Sequence, residues 1–110
     1  MEWKLNVLHD VVDPLEDNVD VVVDFSDGRR FAATFFTLAS IRKLMLRWST
    51  TGECASGLYF WSTFPVIVER LSQSVIEEVV EDLVATGEFQ DAFELIARSE
   101  GALPTTSTKS

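Results

Sequence analysis

The 110-residue chain has one histidine, one cysteine and three prolines, and only nine basic residues against eighteen acidic ones. Each scarcity excludes something. With His9 alone, a multi-histidine metal site is ruled out by count, and a general-base role for His9 would need a nucleophile that its neighbours do not supply. With Cys54 alone there is no internal disulfide framework, which fits a reducing compartment, so a cytoplasmic protein is expected. Cys54 also sits beside Glu53, and an adjacent carboxylate works against the lowered pKa that a reactive thiol needs. No apolar run approaches the roughly 20 residues of a membrane span, and Met1-Glu2-Trp3-Lys4 lacks the character of a signal peptide. Neither GxxxxGK[ST] nor GxGxxG occurs, so the Gly-flanked stretch 51–57 is no phosphate cradle.

What the chain does have is an ordinary globular composition, 46% hydrophobic and 25% charged, at the size of one domain. Residues 1–100 are expected to form a single domain and 101–110, which turn into Pro, Thr and Ser without pattern, a flexible tail. The net charge of −9 is unevenly spread. Residues 1–27 hold eight acids and one Lys, 28–50 hold five bases and no acid, and 72–101 hold eight acids and one Arg. A chain this acidic is expected to avoid nucleic acid and anionic membrane and to be drawn to basic proteins.

Alternation predicts strands at 3–9, 19–26 and 29–36, with Asp27-Gly28 marking a hairpin. The register decides the loop length. A two-residue loop would pair Asp24 with Phe31 and mix charge with aromatics. A three-residue loop, Ser26-Asp27-Gly28 with Gly28 left-handed, pairs Val23 with Phe31, Val21 with Ala33, Val19 with Phe35 and Asp24 with Arg30, and is preferred. Thr37 is placed to cap a helix whose inward stripe is Leu38, Ile41, Leu44, Met45 and Trp48, ended by Gly52. Residues 58–62 and 66–70 are expected as two more strands, the first apolar on both faces and central. A second helix runs from Ser72 to Gly87, with Val75, Ile76, Val79, Val80, Leu83 and Val84 inward. A short last helix turns Phe89, Ala92, Phe93 and Ile96 inward. The fold expected is α+β: an antiparallel sheet of about five strands with helices packed on one face, in the order β-β-β-α-β-β-α-α.

The stretch from Asp27-Gly28-Arg29-Arg30 through Phe35-Phe36-Thr37, Leu44-Met45, Trp48, Thr51-Gly52-Glu53-Cys54, Gly57, Tyr59-Phe60-Trp61 and Val66-Ile67-Val68 resembles a family of small bacterial proteins of unassigned function. The resemblance covers roughly residues 18–97 and departs at Phe64-Pro65, where a more polar turn is expected. It implies a bacterial cytosolic protein and carries no activity, ligand or site residue.

Two charged groups are candidate sites. The acidic one is Glu77, Glu78, Glu81 and Asp82 on the wet side of the second helix, with Asp13, Glu16 and Asp17 as a second patch. The basic one is Arg29, Arg30, Arg42, Lys43 and Arg47, read either as internally neutralised or as a patch for an acidic partner or phosphate. Asp10, Asp13, Glu16, Asp17 and Asp20 do not match the spacing of a calcium loop. Tyr59-Phe60-Trp61 lacks the interleaved cations of a base-stacking site. No motif brings acid, base and nucleophile together, and neither cofactor nor metal is implied. The function expected is therefore a non-catalytic acidic binding protein that inhibits or regulates a basic protein, as immunity proteins and antitoxins do. The alternatives are a self-associating subunit, with Val22, Ala32, Tyr59 and Trp61 supplying apolar surface, and a small enzyme using carboxylates or Cys54.

Overall fold

Residues 2–8 and 13–98 are described by the structure, a computed structural model. His9 and Asp10 fall outside them, as does the expected tail at 101–110. The chain runs β1 (Trp3–Val7), β2 (Asn18–Phe25), β3 (Arg29–Phe36), α1 (Leu38–Thr51), α2 (Glu53–Gly57), β4 (Pro65–Ile67), α3 (Gln73–Thr86), α4 (Phe89–Ala92) and β5 (Glu94–Arg98). It is an α+β fold with a five-stranded sheet in the order β1-β2-β3-β4, β5 also pairing with β3.

The β2–β3 hairpin has the three-residue loop that its side chains demand. Val23 pairs with Phe31, Val21 with Ala33, Val19 with Phe35 and Asp24 with Arg30. Gly28 takes φ 94°, which closes the loop at no steric cost to a side chain. This register puts Val19, Val21, Val23, Phe31, Ala33 and Phe35 on one face, and β1 adds Trp3, Leu5 and Val7 to it. Ile76 and Val80 of α3, with Phe89 and Phe93, cover that face and complete the core. Phe25, Phe31 and Phe89 meet edge-on at 5.1–5.5 Å between centroids, the arrangement ring quadrupoles favour.

The helix ends follow their caps. Thr37 Oγ1 accepts from the Ser40 N–H while Ser40 Oγ accepts from the Thr37 N–H, a reciprocal box that starts α1. Ser72 Oγ accepts from the Val75 N–H to start α3. Gly52 and Gly87, both left-handed, end the two helices.

Three expectations need correction. Residues 58–62 form no strand; among the described residues only Pro65–Ile67 extends there, and it pairs parallel to β3. A parallel neighbour needs a long crossover, and α1 with α2 supplies it. The last helix stops after one turn at Ala92, and residues 94–98 leave it as β5, antiparallel to β3. The fifth strand is thus the C-terminal one, and the order of elements is β-β-β-α-α-β-α-α-β. Finally, α3 and α4 pack on the expected face, but no residue of α1 belongs to the core cluster. Instead Trp48 stacks on Phe60 with centroids 5.9 Å apart, and Phe60 meets Phe36 edge-on at 5.0 Å.

The connection after α1 is strained. Cys54, Ala55 and Ser56 within α2 have φ of 50–61°, and Phe64 has φ 49°. Each such residue costs roughly 1–2 kcal/mol against the right-handed form. Phe64 holds a conformation that an Asn or Asp would adopt more cheaply. Gly57, at φ 82°, lies where a Cβ would sit 2.2 Å from the Met45 carbonyl oxygen, so this turn is pressed directly onto the α1 backbone.

Candidate protein-binding surfaces

The acidic side of α3 arises directly from its 3.6-residue period. With Ile76 and Val80 locked into the core, residues 77, 78, 81 and 82 must point the other way. Glu77, Glu78, Glu81 and Asp82 are all exposed, and none makes an ion pair among the described residues. Glu77 Oε2 accepts from the Gln73 amide at 2.9 Å, which holds it along the helix. Half-buried Val75, Val79 and Leu83 border Glu78 and Asp82, and together they line a shallow depression of about 670 Å³. Four carboxylates on one helical face repel one another by a few tenths of a kcal/mol per i,i+4 pair. A cationic surface laid against them would relieve that repulsion.

The loop acids behave differently, because they are engaged in folding the loop. Asp13 Oδ1 accepts from the Leu15 N–H, and Asp17 Oδ1 accepts from the Asn18 N–H. Glu16 reaches Lys43 of α1 at 3.5 Å. The same loop meets α1 a second time, where the Thr37 hydroxyl donates to the Leu15 carbonyl.

The five bases divide into two groups. Arg30 Nε lies 2.6 Å from Asp24, and the hydrogen bond and charge of that carboxylate raise the Arg30 pKa above its ordinary value. Arg29 pairs with Asp27 at 2.7 Å and lies 5.2 Å from the Phe25 ring centroid. The backbone N–H of Arg29 also donates to Asp27 and, with the guanidinium, holds that carboxyl below its ordinary pKa. The hairpin bases are therefore neutralised within the hairpin. Arg42 and Arg47, exposed on α1, make no ion pair among the described residues, and Lys43 has only the long contact to Glu16.

The second face of the sheet mixes polar pairs with buried apolar residues, Val22 at 8% and Phe36 at 4% exposure. Asn6 Nδ2 donates to Asp24 at 3.2 Å, and the Thr34 hydroxyl donates to Asp20 at 2.7 Å, so the row that holds Val22 and Ala32 is flanked by a hydrogen-bonded ladder. Tyr59 and Trp61, expected beside them, lie outside the sheet on the segment after α2.

Apolar surface is concentrated elsewhere, in a place the sequence pattern did not single out. Leu38 and Leu46 of α1 are 70% and 71% exposed, and Leu58 and Trp61 are 79% and 63% exposed. Leu38, expected on the inward stripe of α1, faces outward instead. The signal was present in the sequence: Leu38, Ile41, Leu44, Met45, Leu46 and Trp48 span more than half the helix circumference, too wide an arc for one-sided burial. Leu38, Ile41, Met45 and Leu46, with Arg42 among them, line a groove of about 640 Å³ that reaches Gly57.

Cys54 is half-buried in its strained turn, and no cluster of three or more His, Cys, Asp or Glu suited to a metal ion occurs among the described residues. No helix of the described residues is long and apolar enough to cross a membrane. No family model, curated protein or solved structure matches the chain.

Proposed function

We propose that this is a non-catalytic binding protein that inhibits or regulates a basic protein, engaging it through the acidic face of α3. The observation that carries the reading is the contrast in pairing. Every hairpin base has its acid at hand, while Glu77, Glu78, Glu81 and Asp82 stand exposed on one helical face without a cation among the described residues. Such a face concentrates negative potential and speeds encounter with a basic surface in a salt-dependent way. The loop residues Asp13, Glu16 and Asp17 are a weaker second patch, since their oxygens are already engaged in the loop and with Lys43.

The test is affinity capture of the tagged protein from native lysate, eluted first at low and then at about 0.5 M salt, where the Debye length falls well below 10 Å. A basic protein released by the salt step is the expected result; release of acidic or neutral proteins alone would overturn the reading.

A second reading, self-association, is favoured by the exposed Leu38 and Leu46 along the α1 groove and by the exposed Leu58 and Trp61 on the segment after α2. It replaces the sheet face around Val22 and Ala32 with α1 as the surface involved.

A further inference from the structure

The two edges of the sheet are finished differently. On one side β4 and β5 share the length of β3. β4 is three residues long and opens with Pro65, which has no N–H to offer. β5 is irregular against β3 and carries Glu94 and Arg98 at its ends. Short strands, proline, irregularity and charge all discourage a further strand from adding. The opposite edge, β1, runs five residues in regular register with β2, with no proline and a single charge, Lys4. The Leu8 N–H donates to the Asp20 carbonyl and the Ser26 N–H to the Glu2 carbonyl, so the even-numbered residues on this side bond to β2. The N–H and C=O groups of Trp3, Leu5 and Val7 therefore point outward, and among the described residues no strand takes them. Their side chains pack on the margin of the core and stay only half-buried.

We propose that this edge takes β1 of a second copy, antiparallel, so that the two sheets become one. The outward groups select the register. Setting Leu5 opposite Leu5 of the second copy pairs Trp3 with Val7 and Val7 with Trp3, and every outward N–H and C=O of the strand finds a partner. A slip of one residue would set outward groups against inward ones and apolar side chains against polar ones. A slip of two residues one way sets Lys4 against Lys4, a pair of like charges that opposes pairing. The same slip the other way leaves Trp3 beyond the end of its partner. In the central register Lys4 faces Asn6 and Glu2 faces Leu8, so no like charges meet. The two-fold axis through Leu5 keeps Trp3, Leu5 and Val7 of both copies on the core side, where they cover one another. Each chain has one such edge, so the contact closes at two copies. It uses neither α1 nor the acids of α3, and it places self-association on the sheet edge.

Sedimentation equilibrium and light scattering at concentrations up to about 1 mM test it. The wild-type chain is expected to pass from 12.3 kDa towards twice that mass as concentration rises. Each copy carries a charge of −9, so about 0.5 M salt should tighten the dimer, the opposite of its effect on a basic partner held by α3. Val7→Pro removes an outward N–H that β2 does not use, a change an edge strand tolerates. The bond is lost twice across the axis, so dimerisation should weaken roughly tenfold or more while circular dichroism shows the sheet intact. Asn6→Lys sets a lysine against Lys4 of the other copy, twice, and should weaken the dimer roughly fivefold. K4E/N6K turns both contacts into opposite charges and should restore at least the wild-type affinity, the new lysine offsetting the added acid beside Asp24. A wild-type monomer throughout the range would overturn the inference and leave capture of a basic protein by α3 untouched. A dimer indifferent to V7P but broken by Leu46→Ser would overturn it by placing the contact on α1. A dimer that N6K tightens, or that K4E/N6K fails to restore, would overturn the register.

Discussion

The C-terminal segment offers a sharp test of how the core is closed. Phe93 is 1% exposed, stacks on Phe89 with centroids 4.4 Å apart and meets Phe35 of the central strand edge-on. Ile96 lies at the irregularity in β5, between Leu95 opposite Phe31 and Ala97 opposite Arg30, and is 48% exposed. Truncating Phe93 to Ala removes a ring from a packed core, which costs about 3–5 kcal/mol, of which the aromatic pairing contributes about 1. Against a total stability of about 5–15 kcal/mol, that is a large share, and at about 4–8 °C per kcal/mol the melting temperature should fall by roughly 15 °C or more. Ile96→Ala removes a side chain already half in water and should cost about 1 kcal/mol or less. Thermal and urea unfolding followed by circular dichroism measure both. The helical alternative, in which Phe89, Ala92, Phe93 and Ile96 share one inward face, requires Ile96→Ala to cost about 2–4 kcal/mol. Comparable losses for the two variants would therefore refute the strand and restore the helix.

Other predictions follow from the turns. Ala55→Gly, at φ 53°, should stabilise the protein by about 1 kcal/mol, whereas Ala→Gly at an ordinary position destabilises; a lower urea midpoint would contradict the left-handed turn. Gly57→Ala should destabilise by about 2–4 kcal/mol, because strained φ and collision with the Met45 carbonyl act together, again read from urea unfolding. Asp27 has its pKa lowered in the folded state, chiefly by the Arg29 backbone N–H. Its contribution is present above the ordinary carboxylate value and is lost as pH falls through the folded value. Asp27→Asn should then be less stable than wild type at neutral pH and converge with it in acid, as urea midpoints at pH 7 and below pH 3 would show.

The hairpin was legible because its constraint is local and two-sided. A one-residue slip would have moved every valine and phenylalanine across the sheet, so the pattern admits one register. Thr37, Ser72, Gly52 and Gly87 were legible as caps for the same reason: each satisfies backbone groups within three or four residues of itself. What escaped depends on distant partners. Leu58, Tyr59, Phe60 and Trp61 look like a buried strand by composition, yet only Phe60 finds a partner in Phe36 and Trp48, and its neighbours face outward. Residues 89–98 carry an inward helical pattern for one turn, and the vacant half-edge of β3 then captures the rest as a strand, which no periodicity within the segment announces. The same division holds for the surfaces. The acidic face of α3 can be read from spacing alone, whereas the neutralisation of Arg29 and Arg30 and the exposure of Leu38 and Leu46 are set by packing.

The most direct measurement compares wild type with the variant E77Q/E78Q/E81Q/D82N in salt-stepped capture from native lysate, with melting temperatures recorded alongside. The carboxylates are exposed and mutually repulsive, so the variant should melt no lower than wild type while losing the basic protein that wild type releases at high salt. Retention of the same partner by a variant that melts like the wild type would contradict the assignment of α3 as the binding face.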